Sequence, residues 1–320
     1  MPRVVVEPAL AGLRLDQFLA RALGATSVHA ARRLIAAGEV CIDGRVVAKK
    51  GDRVATGQIV SLAGAGAREN ADQDAGLVVP DPAVVLPVLF ADADLVAVNK
   101  PAGVPSHPLR PGERGTAANG LCALWPECAR ASVDPREAGL GHRLDRDTSG
   151  VLLAARNRAA WEALRAAIGD PACEKTYLAL VAGAPPARGQ FDGAIGRRGR
   201  RGARVAIDGG RRPLPAHTEW ETLSLLDGGS ALVRARLHAG RAHQVRAHLA
   251  AAGFAILGDP IYSDESAQAV ARALNVEALR LHAESIRLRH PLTGAPLLVV
   301  APPPVWAAGR APSSSPSSSS

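Results

Sequence analysis

Residues 141–150, Gly-His-Arg-Leu-Asp-Arg-Asp-Thr-Ser-Gly, hold the densest set of groups able to do chemistry. Asp145 lies between Arg143 and Arg146, and a cation beside a carboxylate keeps it ionised and competent as a nucleophile. The segment is polar and runs straight into the apolar stretch 151–155. A loop mounted on a buried strand is a rigid place for a reactive group. A turn stitched by surface ion pairs would use the same residues, and such networks are common. Tyr177, in the strand-like run 174–181, is one of only two tyrosines, the other being Tyr262. Beside a polar cleft it would stack on a base and offer its hydroxyl; otherwise it is a half-buried core tyrosine. At 237–249 a strand gives way to a helix on which His243 and Arg246 share a face. Arg246 then either pairs with Asp145 or stands in solvent at the helix start. The histidines of this stretch lack metal-site spacing, so no metal is expected.

The elements that must position these groups can be read from the pattern of apolar residues. Strands are expected at 86–90, 95–99, 151–155, 176–181, 232–238 and 297–300. One helix should follow an Asn157 cap through Trp161, Leu164 and Ile168, and another should run over 241–252 with Val245, Leu249 and Ala252 toward the core. Strands outnumber helices without regular alternation, which argues for an α+β fold with a mixed, mainly antiparallel sheet. Ahead of this lies a smaller unit, 1–62. Leu15, Phe18, Leu19 and Ala22 have helical spacing, and Thr26 or Ser27 can cap a second helix with Ala31, Leu34 and Ile35 on one face. Arg32 and Arg33 fall on the other face. Asp43-Gly44 between 40–42 and 45–47 is a strong hairpin signal. Residues 63–80 have the composition of a linker. The catalytic domain is expected over 81–305, and the low-complexity end, 306–320, should be disordered.

Composition narrows the partner. The net charge is +8, carried by 38 Lys and Arg against 30 Asp and Glu, which suits a polyanion such as nucleic acid. The stretch 197–212 alone has seven arginines opposed only by Asp208. Its glycines suggest a mobile loop that orders on RNA. Candidate RNA contacts are Arg197, Arg198, Arg200 and Arg201 here, with Arg32, Arg33, Arg45 and Lys49 in the small unit. The four cysteines, at 41, 122, 128 and 173, form no C-x-x-C pair and should be buried and inert. No run of 18 apolar residues and no secretory signal is found, so a cytoplasmic protein without membrane contact is expected.

HRLDRDTSGVLLAAR (142–156) closely resembles the signature of the RluA-type pseudouridine synthases of large-subunit ribosomal RNA. DLVAVNKPAGVPSHP (94–108), AGRAHQVRAHLAAAGFAILGDPIY (239–262) and LRLHAESIRLRHPLTG (279–294) resemble other motifs of that family. RLDQFLARAL (14–23) and TSVHAARRLIAAGEVCIDGRVV (26–47) resemble the alpha-L RNA-binding module of ribosomal proteins and RNA modifiers. The resemblance implies a pseudouridine synthase fold and RNA as partner, 23S ribosomal RNA first and transfer RNA second, with no cofactor and a monomeric enzyme. It implies that Asp145 is the catalytic aspartate, that Tyr177 stacks on the target base and that Arg246 pairs with the aspartate. Arg143 would hold the flipped uridine's place in the stack. His142, Asn99 and Lys100 would contact the substrate or support its site. Ala239 and Ala242 depart from the usual hydroxyl residues, and Ser263 from a frequent glycine.

Two other classes compete. A glycoside hydrolase needs two facing carboxylates, for which Asp145 and Asp147 are the candidates. A non-catalytic RNA-binding protein would fit the charge and the small module, but gives no reason for Asp145 among arginines.

Overall fold

The computed structural model describes residues 3–22, 27–47, 51–62, 77–198, 204–238 and 240–308. The chain separates into two compact units, Met1–Ala75 and Gly76–Ser320.

In the first unit β1 (Arg3–Val5), β2 (Val40–Ile42), β3 (Arg45–Val46) and β4 (Ile59–Leu62) form an antiparallel sheet in the order β1-β4-β2-β3. Two helices, Leu15–Ala22 and Val28–Ala36, pack on it. Leu15, Phe18, Leu19, Ala31 and Ile35 are buried, as their spacing predicts. Ser27 caps the second helix by accepting from the Ala30 amide at 3.1 Å. The hairpin turns at Asp43 and Gly44 with φ of 50° and 79°, the paired left-handed geometry that Asp-Gly tolerates.

In the second unit the strands are β5 (Val88–Ala91), β6 (Leu95–Lys100), β7 (Ser149–Ala155), β8 (Glu174–Ala182), β9 (Arg188–Asp192), β10 (Ile195–Arg198), β11 (Arg204–Ile207), β12 (Arg211–Leu214), β13 (His217–Leu226), β14 (Ser230–Leu237), β15 (Leu281–Arg289) and β16 (Pro296–Val300). The large sheet runs β5-β6-β7-β15-β8-β14-β13-β9, with β16 also on β15. Among the described residues only the β7–β15 pair of this sheet is parallel, so the sheet is mixed and mainly antiparallel, and the fold is α+β as expected. Alternate residues of β6 and β7 serve two cores. Val96, Val98, Leu152 and Ala154 face the helix Ala117–Leu124, and Leu95, Ala97, Val151 and Leu153 face the helix Arg158–Gly169. Covered on both sides, these strands read as unbroken apolar runs.

Three expectations need correction. Val78 is buried and packs with Leu77 in the first of these cores, so the segment expected to be linker up to residue 80 already belongs to the catalytic unit there. At the other end Ala307 is buried and Trp306 packs beside it, so the expected tail over 306–320 starts inside the fold. The described parts of the arginine-rich stretch expected to be a loop are strands of a three-stranded antiparallel sheet, β11-β10-β12, while residues 199–203 of that stretch lie outside the described residues. Its short strands escape notice because Gly, Arg and Pro mask the alternation, and only Ile195, Gly196 and Val205 are buried among the described residues of these strands. The four cysteines are free and buried.

Candidate active site

A cleft of about 800 Å³ opens where the loop before β7, the middle of β8 and the start of the helix Gln244–Ala251 meet. The loop is fastened at its base by the Gly141 amide to Leu153 O at 3.0 Å and by the Leu140–Ala154 bridge. It is fastened further along by Ser106, buried, whose hydroxyl accepts from the Leu144 amide at 3.0 Å and donates to Leu144 O at 2.7 Å. Lys100, fully buried, donates from Nζ to the carbonyls of Pro101, Val104 and Arg146 at 2.8, 2.7 and 2.9 Å. Asp145 sits at the turn these contacts shape, with the Thr148 amide bonded back to its carbonyl.

Neither flanking arginine pairs with Asp145 in the structure. Arg146 turns away and donates to Gly103 O, and Arg143 is exposed on the cleft wall. The partner is Arg246, 101 residues away in sequence, whose Nη1 donates to Asp145 Oδ2 at 2.6 Å. The other edge of the guanidinium holds Asp259 through Nε and Nη2 at 2.8 and 2.9 Å. Burial alone would lower the arginine's pKa, but Asp259 first and Asp145 with it outweigh burial and raise it. Asp259 in turn accepts from the amides of Ile261 and Tyr262. Its carboxyl stays below its usual range because those bonds and Arg246 overcome its burial. Arg246 is therefore a fixed cation with one hand left for Asp145.

Tyr177 lines the cleft from β8 and packs between two of the hydrophobic cores. Burial, with Asp145 nearby, pushes its hydroxyl pKa well up, so it stays protonated. His142 also lines the cleft, but its Nε2 accepts from the Leu153 amide at 3.1 Å. Burial first, then Lys175 and Arg165, drive its pKa down to about 3, so it is a neutral brace between loop and strand. Asn99 and Lys100, expected among substrate contacts, are not among the lining residues. They belong to β6 beneath the loop, and the three hydrogen bonds of Lys100 are spent on backbone. The helix expected from residue 241 begins at Gln244, because His243 takes the left-handed conformation, φ 55°.

Several groups here were given no role by the sequence reading. His243 Nε2 lies 3.7 Å from Asp145 Oδ1. Tyr262 stacks against Arg246, its ring 5.4 Å from the guanidinium, and its hydroxyl meets His243 Nδ1 at 3.0 Å. The run Gly-Asp-Pro-Ile-Tyr, 258–262, was a usable signal for Asp259 and Tyr262. Ser106 stands in the same motif as Lys100. Asp147, the second carboxylate a hydrolase would need, is exposed and does not line the cleft. Ala242 is exposed on the cleft, and Ser263 makes only a 3.4 Å bond to Ile256 O. Ala239 lies outside the described residues.

Of the expected RNA contacts, Arg33 and Arg45 are exposed. Arg32 is half-exposed but tied to buried Asp16 at 2.8 Å, a bond shared with Arg14, so it serves the fold of the first unit as well. Arg197 and Arg198 are exposed on β10, with Arg204, Arg211 and Arg212 on the neighbouring strands. Lys49, Arg200 and Arg201 lie outside the described residues. No helix among the described residues is long and apolar enough to cross a membrane.

Comparison with known proteins identifies the family. A family model for RNA pseudouridylate synthase matches residues 94–251, and one for the S4 domain matches residues 13–60. The chain is 34% identical over 301 residues to an uncharacterised RNA pseudouridine synthase of Mycobacterium bovis, covering 93% of each. It is 34% identical over 306 residues to the ribosomal large subunit pseudouridine synthase D of Nitrosomonas europaea, covering 94% of this chain and 84% of that one. Among solved structures, human RNA pseudouridylate synthase domain containing 1 is 28% identical with a TM-score of 0.54, over 70% of this chain and 86% of that one. With an S4 RNA-binding domain preceding this site, the chain belongs to the RNA pseudouridine synthases.

Proposed function

We propose that this enzyme isomerises uridines of large-subunit ribosomal RNA, and that Asp145 is the carboxylate that acts at the glycosidic carbon. The residue assignment rests on one observation: Arg246 takes Asp145 Oδ2 at 2.6 Å in a cleft that Asp145, Arg246 and Tyr177 line together. Pseudouridine forms when the C1′–N1 bond breaks, the base turns, and C1′ bonds to C5, after which C5 gives up its proton and N1 gains one. Nothing is oxidised and no group departs, so one carboxylate suffices to assist cleavage of the C1′–N1 bond. The uridine must first be flipped out of its stack to reach Asp145. Tyr177 would grip the freed base, and Arg143, exposed on the cleft wall, would fill the gap it leaves. Arg33 and Arg45 in the first unit and Arg197 and Arg198 in the second would hold the backbone.

The target is supported by relatives from Nitrosomonas europaea and Xanthomonas campestris that carry the name ribosomal large subunit pseudouridine synthase D. Ribosomal RNA as target, and bacterial relatives, support action in the cytoplasm. The test is Asp145→Asn, assayed on large-subunit ribosomal RNA and transfer RNA by pseudouridine mapping. Turnover should fall by at least about 10³-fold, because removing a reacting carboxylate outright is among the costliest single changes. RNA affinity should hold within about threefold, since phosphate contacts supply most of it. A folded Asp145→Asn enzyme that still turns over removes Asp145 from this role; modification of transfer RNA alone removes the ribosomal target.

A further inference from the structure

We infer that His243, fixed by Tyr262 as the tautomer that carries its proton on Nε2, is a positioning residue for Asp145, holding Oδ1 while Arg246 holds Oδ2. The inference rests on Asp145 being the acting carboxylate.

The starting point is how the two oxygens of Asp145 differ. Oδ2 receives a short, charge-assisted bond from Arg246. Oδ1 has His243 Nε2 at 3.7 Å, too long for a full hydrogen bond and close enough to become one with a small rotation of the carboxylate. A carboxylate fixed at one oxygen only can swing about that contact. A second donor at Oδ1 limits that swing.

This works only if Nε2 bears the proton, and two contacts favour that. The Val205 amide donates to Tyr262 Oη at 2.9 Å, which fills one acceptor position of the hydroxyl. The phenolic proton then needs an acceptor, and His243 Nδ1 lies 3.0 Å away. Were Nδ1 protonated, the hydroxyl proton would lose that acceptor, and a bare Nε2 lone pair would face a carboxylate oxygen. With the proton on Nε2 the chain runs from the Val205 amide to Tyr262 and from Tyr262 to Nδ1, and it leaves the Nε2 proton facing Asp145 Oδ1. The charged groups facing the imidazole are Asp145, Arg246 and Asp259. Burial first, reinforced by Arg246 and opposed by the two carboxylates, lowers its pKa, so the ring is neutral at neutral pH and the tautomer is a meaningful state.

The backbone supports the assignment. His243 is a non-glycine residue at φ 55°, immediately before the helix that carries Arg246. A left-handed residue at that point is strained, and such strain persists where surrounding structure holds it. Here the edge-on contact with Tyr262, ring centroids 5.7 Å apart, does so. Tyr262 is itself clasped between Arg246 and Arg204.

The experiment uses the full-length enzyme on its RNA under single-turnover conditions, with His243→Ala, His243→Gln and Tyr262→Phe, alongside ¹⁵N-histidine NMR of the unliganded protein. In the parent enzyme the His243 signal, identified by its loss in the variants, should show a protonated Nε2 and a bare Nδ1. His243→Ala should slow turnover about 10- to 100-fold, the scale of one lost bond to a charged group, with RNA affinity within about threefold. Glutamine places an amide N–H near the position of Nε2, so His243→Gln should recover most of that loss. Tyr262→Phe keeps the ring on Arg246 but frees the tautomer, giving mixed tautomers and an intermediate rate. A purely structural role predicts that glutamine rescues neither rate nor melting temperature and that rate tracks stability. A parent enzyme with the proton on Nδ1 overturns the inference. So does an unchanged rate in either folded His243 variant that lacks the donor, and if His243→Ala does not fold, His243→Leu supplies that reading. The tautomer measurement does not depend on Asp145 reacting, so an active Asp145→Asn enzyme would remove the function assigned above while leaving this readout separate.

Discussion

Lys100 shows how a residue away from the reacting atoms can govern them. Its ammonium is fully buried and gives its three N–H groups to three carbonyls, two in its own motif and one, that of Arg146, in the loop bearing Asp145. Burial pulls its pKa down to about 8, against the pull of Asp147 and Asp145, so it is still charged at neutral pH. Three donors match three acceptors, which is why a lysine can stand where a methionine of similar length would fit by volume. Lys100→Met should cost about 2–4 kcal/mol, since the carbonyls are left without a partner while the desolvation of the charge is relieved. Denaturant unfolding measures this, and an unchanged midpoint would mean that water replaces the lysine. Sequence made the type of this residue visible but not its target, because the Arg146 carbonyl comes from a loop 46 positions on. For Asp145 the spacing set Arg143 and Arg146 beside it and left Arg246 as one of two readings, a pairing that the family resemblance also implied; the contact is with Arg246. Pairings between distant segments are set by topology, which local spacing does not carry.

At the scale of elements, the strands buried on both faces were legible and those with a charged face were not. The runs expected at 95–99 and 151–155 are β6 and β7 nearly residue for residue. β13 and β15 went unread because Glu219, Glu221, Glu284 and Arg287 interrupt them. Glu284 earns its place by a bidentate pair with Arg234 of β14 at 2.7 and 2.9 Å, a cross-strand partner that no single strand reveals. The helix Ala117–Leu124 was hidden by Asn119-Gly120, ordinarily a turn signal. Asn119 instead completes a capping box with Thr116 and donates to the carbonyls of Val79 and Glu113, while Gly120 lies against Val84 O, where a Cβ would approach within 2.8 Å. The junction that positions the catalytic loop is the short parallel pair of β7 and β15, Ser149 to His282 and Gly150 to Ala283. Gly150 has φ 113°, and a Cβ there would meet Ala283 O at 2.1 Å. Gly150→Ala should therefore destabilise the protein by about 3 kcal/mol or more, through backbone strain added to a clash with a strand that cannot move aside. A melting temperature within a degree of the parent would show that β15 yields, and the close approach would lose its structural importance.

On the scale of the whole molecule, the two units were separable in the sequence because each carries its own apolar pattern. The first closes a core from Val6, Phe18, Leu19, Ile35, Val40 and Val60, and the cores of the second begin at Leu77. What the sequence blurred was the edge: a stretch of Ala, Gly and Asp ran into Leu77 and Val78, and composition could not mark where burial resumes. Deleting residues 1–75 should consequently leave a folded catalytic unit that melts cooperatively, since no buried residue of its cores is removed. The net charge is carried mostly by the second unit: residues 1–75 hold ten Lys and Arg against eight Asp and Glu, or +2 of the total +8. The truncated enzyme should therefore keep most of its general attraction for RNA, and the salt dependence of binding should shrink by only the few phosphate contacts that Arg33, Arg45 and their neighbours supply, about 0.7–0.9 in slope for each. What it should lose is preference for a long structured RNA over a short one, because a folded module presents its cations in a fixed pattern. Binding of both RNAs across a salt series, and pseudouridine formation on each, tests this directly. Equal losses on the two substrates would mean that the first unit supplies charge alone, and failure of the truncated chain to fold would mean that the cores are not independent.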